Sequence, residues 1–376
     1  MTTHVFIVDE RTFPVHLKYM FAGTGAGNKD VDFNNSQHSA LHHSSEAGLV
    51  AMMADCCRVR KGDFVIFYLL ASGKREGKFF GIFRVTVDAF LDRNNGSQYL
   101  KGALGKSLLF RIKIEPYEVY SKGVTEWEAL DEIKNIQSPC QMLWSLIYRK
   151  LKGNRGNTMI TIYESERLMD LIRRKNDHIP LPLVSNSGYA YSNGKIIRGK
   201  SSDYEGRVVS INILPRLIEK YNNDKAHEAH LQMYITQQLG RNSNLDAALG
   251  VSPDQIEWIG NEVSCGVGMQ RIDIMVSKVE SETRRVVMPI ELKAVPAYKD
   301  NIRQIDRYID WIEQYYIPNR PSIIQPVLLC LKAPHDPDVR SKINKFDSEA
   351  SGRYLPLRYV EYEVVNGHLV FTQMSY

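Results

Sequence analysis

The chain has 376 residues, of which 43% are hydrophobic and 24% charged, with a net charge of +5 and a pI near 8.7. This length predicts two domains, and the longest apolar run, residues 65–71, is too short to span a bilayer. The first residues lack a basic segment followed by an apolar one, so we expect no secretory signal.

Five cysteines, at positions 56, 57, 140, 265 and 330, form no CxxC pair and no zinc-binding spacing. They predict reduced thiols in a cytoplasmic protein. The positive net charge favours a polyanionic partner only slightly, because many proteins without such a partner are equally basic.

Residues 1–175 mix strand-like and helix-like segments. Branched and aromatic residues predict strands at THVFIV, DFVIFYLLA, KFFGIFRVTV and LLFRIKIEPYEVY. Helices are predicted at HSSEAGLVAMMADCCRV, which opens with a candidate serine cap, and at ESERLMDLIRRK. Several strands with short helices predict a small curved sheet or β-barrel.

Residues 176–208 are rich in Pro, Gly, Ser and Asn, which predicts a linker between domains. Within it, Asn193-Gly194 favours the tight turn of a β-hairpin.

Residues 209–376 predict an α/β domain in which helices bracket strands. The expected order is two helices at 211–221 and 224–239, strands at 257–263, 271–276 and 286–292, a helix at 298–316, a strand at 323–331 and a C-terminal hairpin turning at Asn366-Gly367.

Two of these strands carry charges among apolar residues, in RIDI and IELK. Side chains alternate across a strand, so Glu291 and Lys293 share one face, and pairing the strands can bring Asp273 beside Glu291. Adjacent carboxylates favour protonation or a bound cation, and Mg²⁺ binds through one or two carboxylates. Lys293 would then stand beside the attacking water as a point charge. The alternative is a surface strand with a salt-bridged E-x-K.

The flanking helices favour the site. Glu228 lies three residues before Leu231 and is predicted on the same core-facing stripe, where an acid needs a partner. The helix after IELK has an apolar stripe of isoleucines. The residues of interest on its other faces are Gln304, Tyr308, Arg303 and Arg307.

A helix-borne Glu, then Asp, E-x-K, and a helix with Gln and Tyr four apart resemble the PD-(D/E)xK nuclease superfamily. More narrowly, EAHLQMYI, RIDI, IELK and QIDRYIDWI over about residues 211–335 resemble the C-terminal domain of NucS-type endonucleases. The resemblance implies a restriction-endonuclease-like mixed sheet flanked by helices, and Mg²⁺ as cofactor, with Mn²⁺ as a substitute. It implies Glu228, Asp273 and Glu291 as metal-site acids, Lys293 as catalytic lysine and Gln304 as a supporting residue. The superfamily's proline before the Asp is absent here.

The segment LWSLIYRKLKGNRG interleaves aromatics with cations, which suits phosphates and unstacked bases. The alternative is a core Trp and a solvated basic turn. The predicted nucleic-acid contacts are Trp144, Tyr148, Arg149, Lys150, Lys152 and Arg155, together with Arg271, Arg303 and Arg307 of the second domain.

Strand order and the same segment are similar to PUA-like domains of the EVE and YTH type. This resemblance implies an aromatic-lined pocket for a modified or flipped base. Candidate pocket residues are Phe21, Asp32, Asn34, Trp127 and Trp144. The segment from Gly23 to Asn28 lacks the third glycine of G-x-G-x-x-G and is predicted to be a flexible loop.

Together these features predict a Mg²⁺-dependent DNA endonuclease, specifically a modification-dependent restriction enzyme acting on double-stranded DNA and leaving a 5′ phosphate. The alternatives are a NucS-like mismatch- or branch-directed repair nuclease and a catalytically inactive nucleic-acid reader. Cutting both strands with one site per chain predicts a homodimer.

Overall fold

A computed structural model describes residues 1–25, 31–32, 46–73, 75–143, 156–183, 187–265, 270–334 and 336–375. The chain divides into two compact units. The first comprises residues 1–137 and 142–211, and the second comprises residues 138–141 and 212–376. The predicted second domain begins at residue 209, close to this division. Residues 176–208, predicted as a linker, belong to the first unit.

The first unit contains a mixed sheet of seven strands in the order β2-β5-β4-β3-β1-β7, with β6 paired to β4. β1 and β3 run parallel and the other pairs antiparallel. The strands are β1 Thr3–Val8, β2 Phe21–Thr24, β3 Phe64–Leu69, β4 Lys78–Leu91, β5 Phe110–Pro116, β6 Val124–Thr125 and β7 Asn157–Ile160.

The predicted strands of this unit are confirmed as β1, β3, β4 and β5, but the expected barrel is not closed. The two edge strands, β2 and β7, have only four residues each, and within the described residues they do not pair with each other. Closure requires an unbroken ladder of strand pairs around the circumference.

Five α-helices accompany this sheet among the described residues. They are α1 Thr12–Tyr19, α2 Glu46–Cys57, α3 Lys101–Leu104, α4 Glu126–Asp131 and α5 Ile162–Lys175. The amphipathic α5 begins at a capping box in which Thr161 and Glu164 bond each other's backbone N–H groups. The short α1 was not predicted. Pro14 interrupts its apolar pattern but lies in the first turn, where its missing N–H is not required.

A separate hairpin of β8 Ser187–Ser192 and β9 Lys195–Lys200 confirms the predicted Asn-Gly turn. Asn193 and Gly194 both have positive φ, at 49° and 76°. Such angles suit a two-residue turn whose twist matches that of the strands.

The second unit also contains a mixed seven-stranded sheet, in the order β10-β11-β12-β14-β15-β16, with β13 paired to β12. β12, β14 and β15 are parallel, and the hairpins at either side are antiparallel. The strands are β10 Ile256–Ser264, β11 Arg271–Ser281, β12 Arg284–Lys293, β13 Ile323–Ile324, β14 Val327–Leu331, β15 Arg358–Val365 and β16 His368–Met374.

The helices of this unit are α6 Leu214–Asn222, α7 Glu228–Gln238, α8 Asn244–Leu249, α9 Lys299–Trp311 and α10 Pro337–Ser348, and α9 continues as a π-turn over Ile312–Tyr316. α8 and α10 were not predicted. α8 has only six residues, too few to show an apolar period, whereas the buried Val339, Ile343 and Phe346 of α10 have the i, i+4, i+7 spacing of a helix and could have indicated it.

The central strand β12 positions the candidate site. Its residues 286–292 are all buried, since strands pair on both sides and the core lies against its apolar face. β11 and β12 are longer than predicted, and two residues, Glu282 and Thr283, join them in place of the expected turn over 277–285. The C-terminal hairpin is confirmed, with Asn366 and Gly367 between β15 and β16.

Candidate active site

Asp273 and Glu291 lie side by side on the adjacent strands β11 and β12. Ile274 pairs with Ile290 in this antiparallel ladder, which places the two acids opposite each other in the next position. Directly opposed residues have Cβ atoms about 4.5–5.5 Å apart and point to the same face of the sheet. Asp273 Oδ2 also accepts a hydrogen bond from the Leu292 backbone N–H at 2.8 Å.

Glu291 is fully buried, with 0% exposure. The Lys293 ammonium lies 2.6 Å from its Oε1, and the Tyr308 hydroxyl lies 2.7 Å from its Oε2. Each oxygen of this carboxylate therefore has one close partner, the ammonium at Oε1 and the phenol at Oε2. A carboxylate oxygen has two lone pairs, so one close partner leaves Oε1 able to accept a further cation.

The helix α9 orients Glu291 through Tyr308. Gln304 donates from Nε2 to the Tyr308 oxygen at 2.8 Å, and the Tyr308 hydroxyl also lies 2.8 Å from the Arg271 carbonyl. A phenol has one proton to donate, so the Glu291 and Arg271 oxygens share it. The four-residue spacing of Gln304 and Tyr308 puts both on one helix face, next to the strand ends.

The surroundings raise the pKa of both acids of this pair. Burial, and then the charge of Glu291, raise the pKa of Asp273 well above its usual value. Burial also raises the pKa of Glu291, although Lys293 and Tyr308 oppose the shift. Burial is the largest single influence on the pKa of Lys293 and lowers it, but the charge and hydrogen bond of Glu291, together with the charges of Glu228 and Asp273, outweigh burial and raise this pKa. Two neighbouring acids whose pKa values are both raised are typical of a metal or acid–base site.

Glu228 is placed differently from the prediction. It is exposed at the first residue of α7, whereas Leu231 is fully buried, so the two do not share a core-facing stripe. The reason is that the helix begins at Glu228, four residues later than expected. Its charge nevertheless acts on Asp273, Glu291 and Lys293, raising the pKa of each.

Within the described ranges, no three His, Cys, Asp or Glu side chains are gathered closely enough to hold a metal ion together. Asp273 and Glu291 still fit Mg²⁺, because this ion is usually bound by one or two carboxylates and completes its octahedron with water and phosphate oxygens. Glu228 is near enough to act electrostatically on both acids, and its role as a third metal-site acid stays a prediction.

Three arginines predicted to contact DNA lie at this end of the unit. Arg271 begins β11, and its Nη1 forms an ion pair with Glu262 Oε2 at 2.7 Å. Arg303 is exposed on α9, and its Nη1 makes a loose ion pair with Asp300 Oδ1 at 3.8 Å. Arg307 is also exposed, and its charge acts on the buried thiol of Cys265.

Sequence reasoning missed Gln232 and Glu262. The buried Gln232 donates from Nε2 to the Asp273 carbonyl at 2.9 Å and lies 3.2 Å from Glu262 Oε1. Gln232 stands one helical turn after Glu228, a spacing that could have indicated it. Glu262 carries no such pattern, because its position depends on its backbone conformation.

The first unit contains a separate cavity of ≈210 Å³. It is smaller than the roughly 300–1,000 Å³ typical of drug-sized ligands. Its lining residues are Ile7, Val8, Asp9, Thr12, His16, Gly23, Thr24, Gly25, Leu70, Lys106, Ser107, Leu108 and Gly156. Gly25 is required there, since a Cβ would lie 2.6 Å from the Ser107 carbonyl oxygen.

Polar groups converge on this cavity. Ser107 is 1% exposed, and within the described part of the chain its Oγ has no hydrogen-bond partner. Burial, followed by the charge of Arg111, lowers the pKa of His16 to about 3, so this ring is neutral and donates from Nδ1 to the Phe21 carbonyl at 3.0 Å. Asp9 and Lys106 form an ion pair at 2.6 Å on the exposed side.

The three base-pocket candidates that the structure describes, Phe21, Asp32 and Trp127, are not among the lining residues of this cavity. Phe21 is fully buried against His16 and Tyr204, with Arg111 over its ring. Trp127 is 62% exposed on α4, and Asp32 pairs with Arg93 at 2.6 Å. No Phe, Tyr or Trp is among the described lining residues, so an aromatic-lined pocket is not found there.

The other predicted residues of the first unit are Asn34, Trp144, Tyr148, Arg149, Lys150, Lys152 and Arg155, and they lie outside the described residues. All five cysteines lie within the described ranges and form no disulfides. None of the helices that the structure describes combines the length and apolarity needed to cross a membrane.

No protein-family model matches the chain, and a search of curated proteins found no match. Several solved structures, including the following three, are similar to part of it. The first is a hypothetical protein from Leishmania major, with 11% sequence identity and a TM-score of 0.30. The second is Rpa0253 from Rhodopseudomonas palustris, with 15% identity and a TM-score of 0.25. The third is human THYN1 in complex with 5-methylcytosine-containing DNA, with 9% identity and a TM-score of 0.27. Each covers 46% of this chain and 96%, 93% and 97% of its own length, respectively. TM-scores this low do not establish a shared fold.

Proposed function

We propose that the chain is a Mg²⁺-dependent DNA endonuclease whose second unit cleaves the phosphodiester bond and whose first unit selects modified DNA. The single observation that carries the proposal is the fully buried Glu291 beside the partly buried Asp273, with the Lys293 ammonium 2.6 Å from Glu291. Two acids held together with so little exposure are costly unless a cation or a proton compensates them. A solvated E-x-K on a surface strand would not bury its glutamate completely.

Mg²⁺, held by Asp273 and Glu291, would supply Lewis-acid stabilisation of charge on the phosphate. Lys293 places a compact positive charge at the same point, where it can stabilise negative charge that develops during hydrolysis. Tyr308 and Gln304 fix the rotamer of Glu291, so that Oε1 stays beside the ammonium and Oε2 stays bonded to the phenol. Burial, and then the charge of Glu291, raise the pKa of Tyr308 far above its usual range, so the phenol remains a donor.

The cavity of the first unit supports the selection step. It is of a size for one small ring system, and it offers the hydroxyl of Ser107 and the neutral ring of His16 as polar contacts. An unpartnered buried hydroxyl favours a ligand that hydrogen-bonds to it over one that cannot. A base extruded from a duplex is a ligand of this kind.

The test incubates the full chain and Mg²⁺ with phage DNAs carrying different base modifications, beside unmodified and mismatched duplexes. Glu291→Gln removes one acid without changing shape, and Glu280→Gln is the matched control, because Glu280 pairs with Lys278 and Arg284 on the same sheet. We expect cleavage of a modified DNA by the unaltered chain and by Glu280→Gln only.

The same experiment distinguishes the alternatives. Cleavage confined to mismatched or branched duplexes would indicate a repair nuclease. Binding of DNA without cleavage on any substrate would indicate an inactive reader and overturn the proposed activity.

A further inference from the structure

A third acid, Glu262, lies in line with Asp273 and Glu291 across three neighbouring strands. Asn261 pairs with Ile274 and Val263 with Ile272, which places Glu262 opposite Asp273 in the ladder of β10 and β11. Three carboxylates in one row repel one another unless cations intervene. The structure separates Glu262 from the other two acids by its backbone and by its partners.

The backbone of Glu262 is left-handed, with φ of 52° in the middle of a strand. A residue with a Cβ adopts this conformation at a cost, and such residues concentrate at functional sites. Its Oε2 accepts from Arg271 Nη1 at 2.7 Å, and its Oε1 accepts from the buried Gln232 at 3.2 Å. The carboxylate is therefore aimed at Arg271 while Gln232 ties it to Asp273 through the Asp273 carbonyl.

Arg271 is held from two sides at the edge of the active site. Its carbonyl accepts from Tyr308, which also bonds Glu291, and its side chain, 40% exposed, bonds Glu262. It stands two residues before Asp273, so both side chains leave the same face of β11. A guanidinium in this place can bond either a carboxylate or a phosphate with the same geometry.

We propose that Glu262 is a positioning residue that occupies the Arg271 guanidinium until a backbone phosphate of DNA replaces it. This inference rests on the proposed function, because it assumes that DNA reaches this face of the sheet. The Glu262 carboxylate aims the guanidinium at the place where the phosphate arrives, and it competes with that phosphate. Binding of DNA therefore breaks an ion pair, which lowers affinity for any duplex.

The experiment measures the dissociation constant for a fluorescent duplex in EDTA, so that no cleavage occurs, at several salt concentrations. Glu262→Gln keeps the shape and an acceptor for Gln232 but removes the charge. Glu280→Gln is the matched control, since it makes the same change in net charge near the far end of β11, seven residues or about 23 Å along the strand from the position opposite Glu262. Arg271→Ala and the double variant Glu262→Gln/Arg271→Ala complete a thermodynamic cycle.

We expect Glu262→Gln to bind about two- to fivefold more tightly than Glu280→Gln at low salt, the range that one partly exposed ion pair contributes. The gain should vanish in the Arg271→Ala background, a coupling that a purely structural role of Glu262 would not produce. If Glu262→Gln fails to fold, Glu262→Asn removes the same charge with a residue that tolerates positive φ.

Equal affinities of Glu262→Gln and Glu280→Gln, or a gain that persists without Arg271, would overturn this inference and leave the nuclease proposal intact. Absence of DNA binding by the unaltered chain on every duplex would overturn both.

Discussion

Replacing Asp273 with Asn is expected to stabilise the metal-free protein while abolishing cleavage. The substitution keeps the size of the side chain and an oxygen that accepts from the Leu292 N–H. It removes one of two negative charges that face each other on β11 and β12. A gain in stability from deleting an acidic group indicates that function, not folding, maintains it.

The magnitude follows from the spacing of the pair. Two unit charges about 5 Å apart interact by about 3 kcal/mol at an effective dielectric constant of about 20. The Lys293 ammonium, 2.6 Å from Glu291, cancels part of this repulsion. We therefore expect a net gain of about 1–2 kcal/mol at pH 7, or about 2–8 °C in the unfolding midpoint of this unit.

The gain must depend on pH. The pKa of Asp273 is raised in the folded protein by burial and by Glu291, so the native state holds more protons than the unfolded state above the usual pKa of 3.8. The stability of the unaltered protein therefore falls as pH rises above about 4, whereas an Asn has no such loss. The advantage of Asp273→Asn should be absent near pH 4 and grow towards neutrality.

The assay is denaturant unfolding in EDTA from pH 4 to 8, with the exposed Asp254 changed to Asn as the control. A stability at pH 7 equal to or below that of the unaltered chain would refute the reasoning. A difference that does not change with pH would also refute it, because it would have to come from packing.

Three further predictions concern the same sites. Tyr308→Phe should slow cleavage by about 10- to 100-fold, since partners that orient metal-binding carboxylates have effects of this size. The test compares its cleavage rate with that of the control Tyr234→Phe, and equal rates would exclude an orienting role for Tyr308. Mg²⁺ at 100 times its dissociation constant should raise the free energy of unfolding of the second unit by about 2.7 kcal/mol and should not change the stability of Glu291→Gln. Unfolding experiments with and without the metal measure this difference. Equal stabilisation of both proteins would place the ion elsewhere. Ser107→Leu, which fills the cavity of the first unit, should abolish the preference for modified over unmodified DNA without lowering the affinity for unmodified duplex. Competition binding would measure this preference. A retained preference would mean that recognition occurs outside this cavity.

The first unit illustrates where sequence patterns were insufficient. Its strands could be predicted from the sequence because aromatic and branched residues fill them. The cavity could not be predicted, since it is built from short segments far apart in the chain. Pairing of β2 and β5 brings Gly23–Gly25 close to Lys106–Leu108, and the other lining residues, among them Ile7, Val8, Asp9 and Thr12, reach them only through tertiary packing. Of the selected aromatic residues that the structure describes, Phe21 is buried in the core and Trp127 is exposed on α4.

The second unit shows the complementary case. The charges of RIDI and IELK and the alternation of strand side chains were sufficient to predict that Asp273, Glu291 and Lys293 share one place, because antiparallel pairing of neighbouring strands is a local event. The Gln304–Tyr308 spacing was likewise readable, since a helix repeats every 3.6 residues. Tertiary structure alone decided that Glu228 stays exposed where α7 begins, and that a left-handed backbone turns Glu262 towards Arg271. Helix ends and strained residues depend on the summed packing around them, which no local period in the sequence encodes.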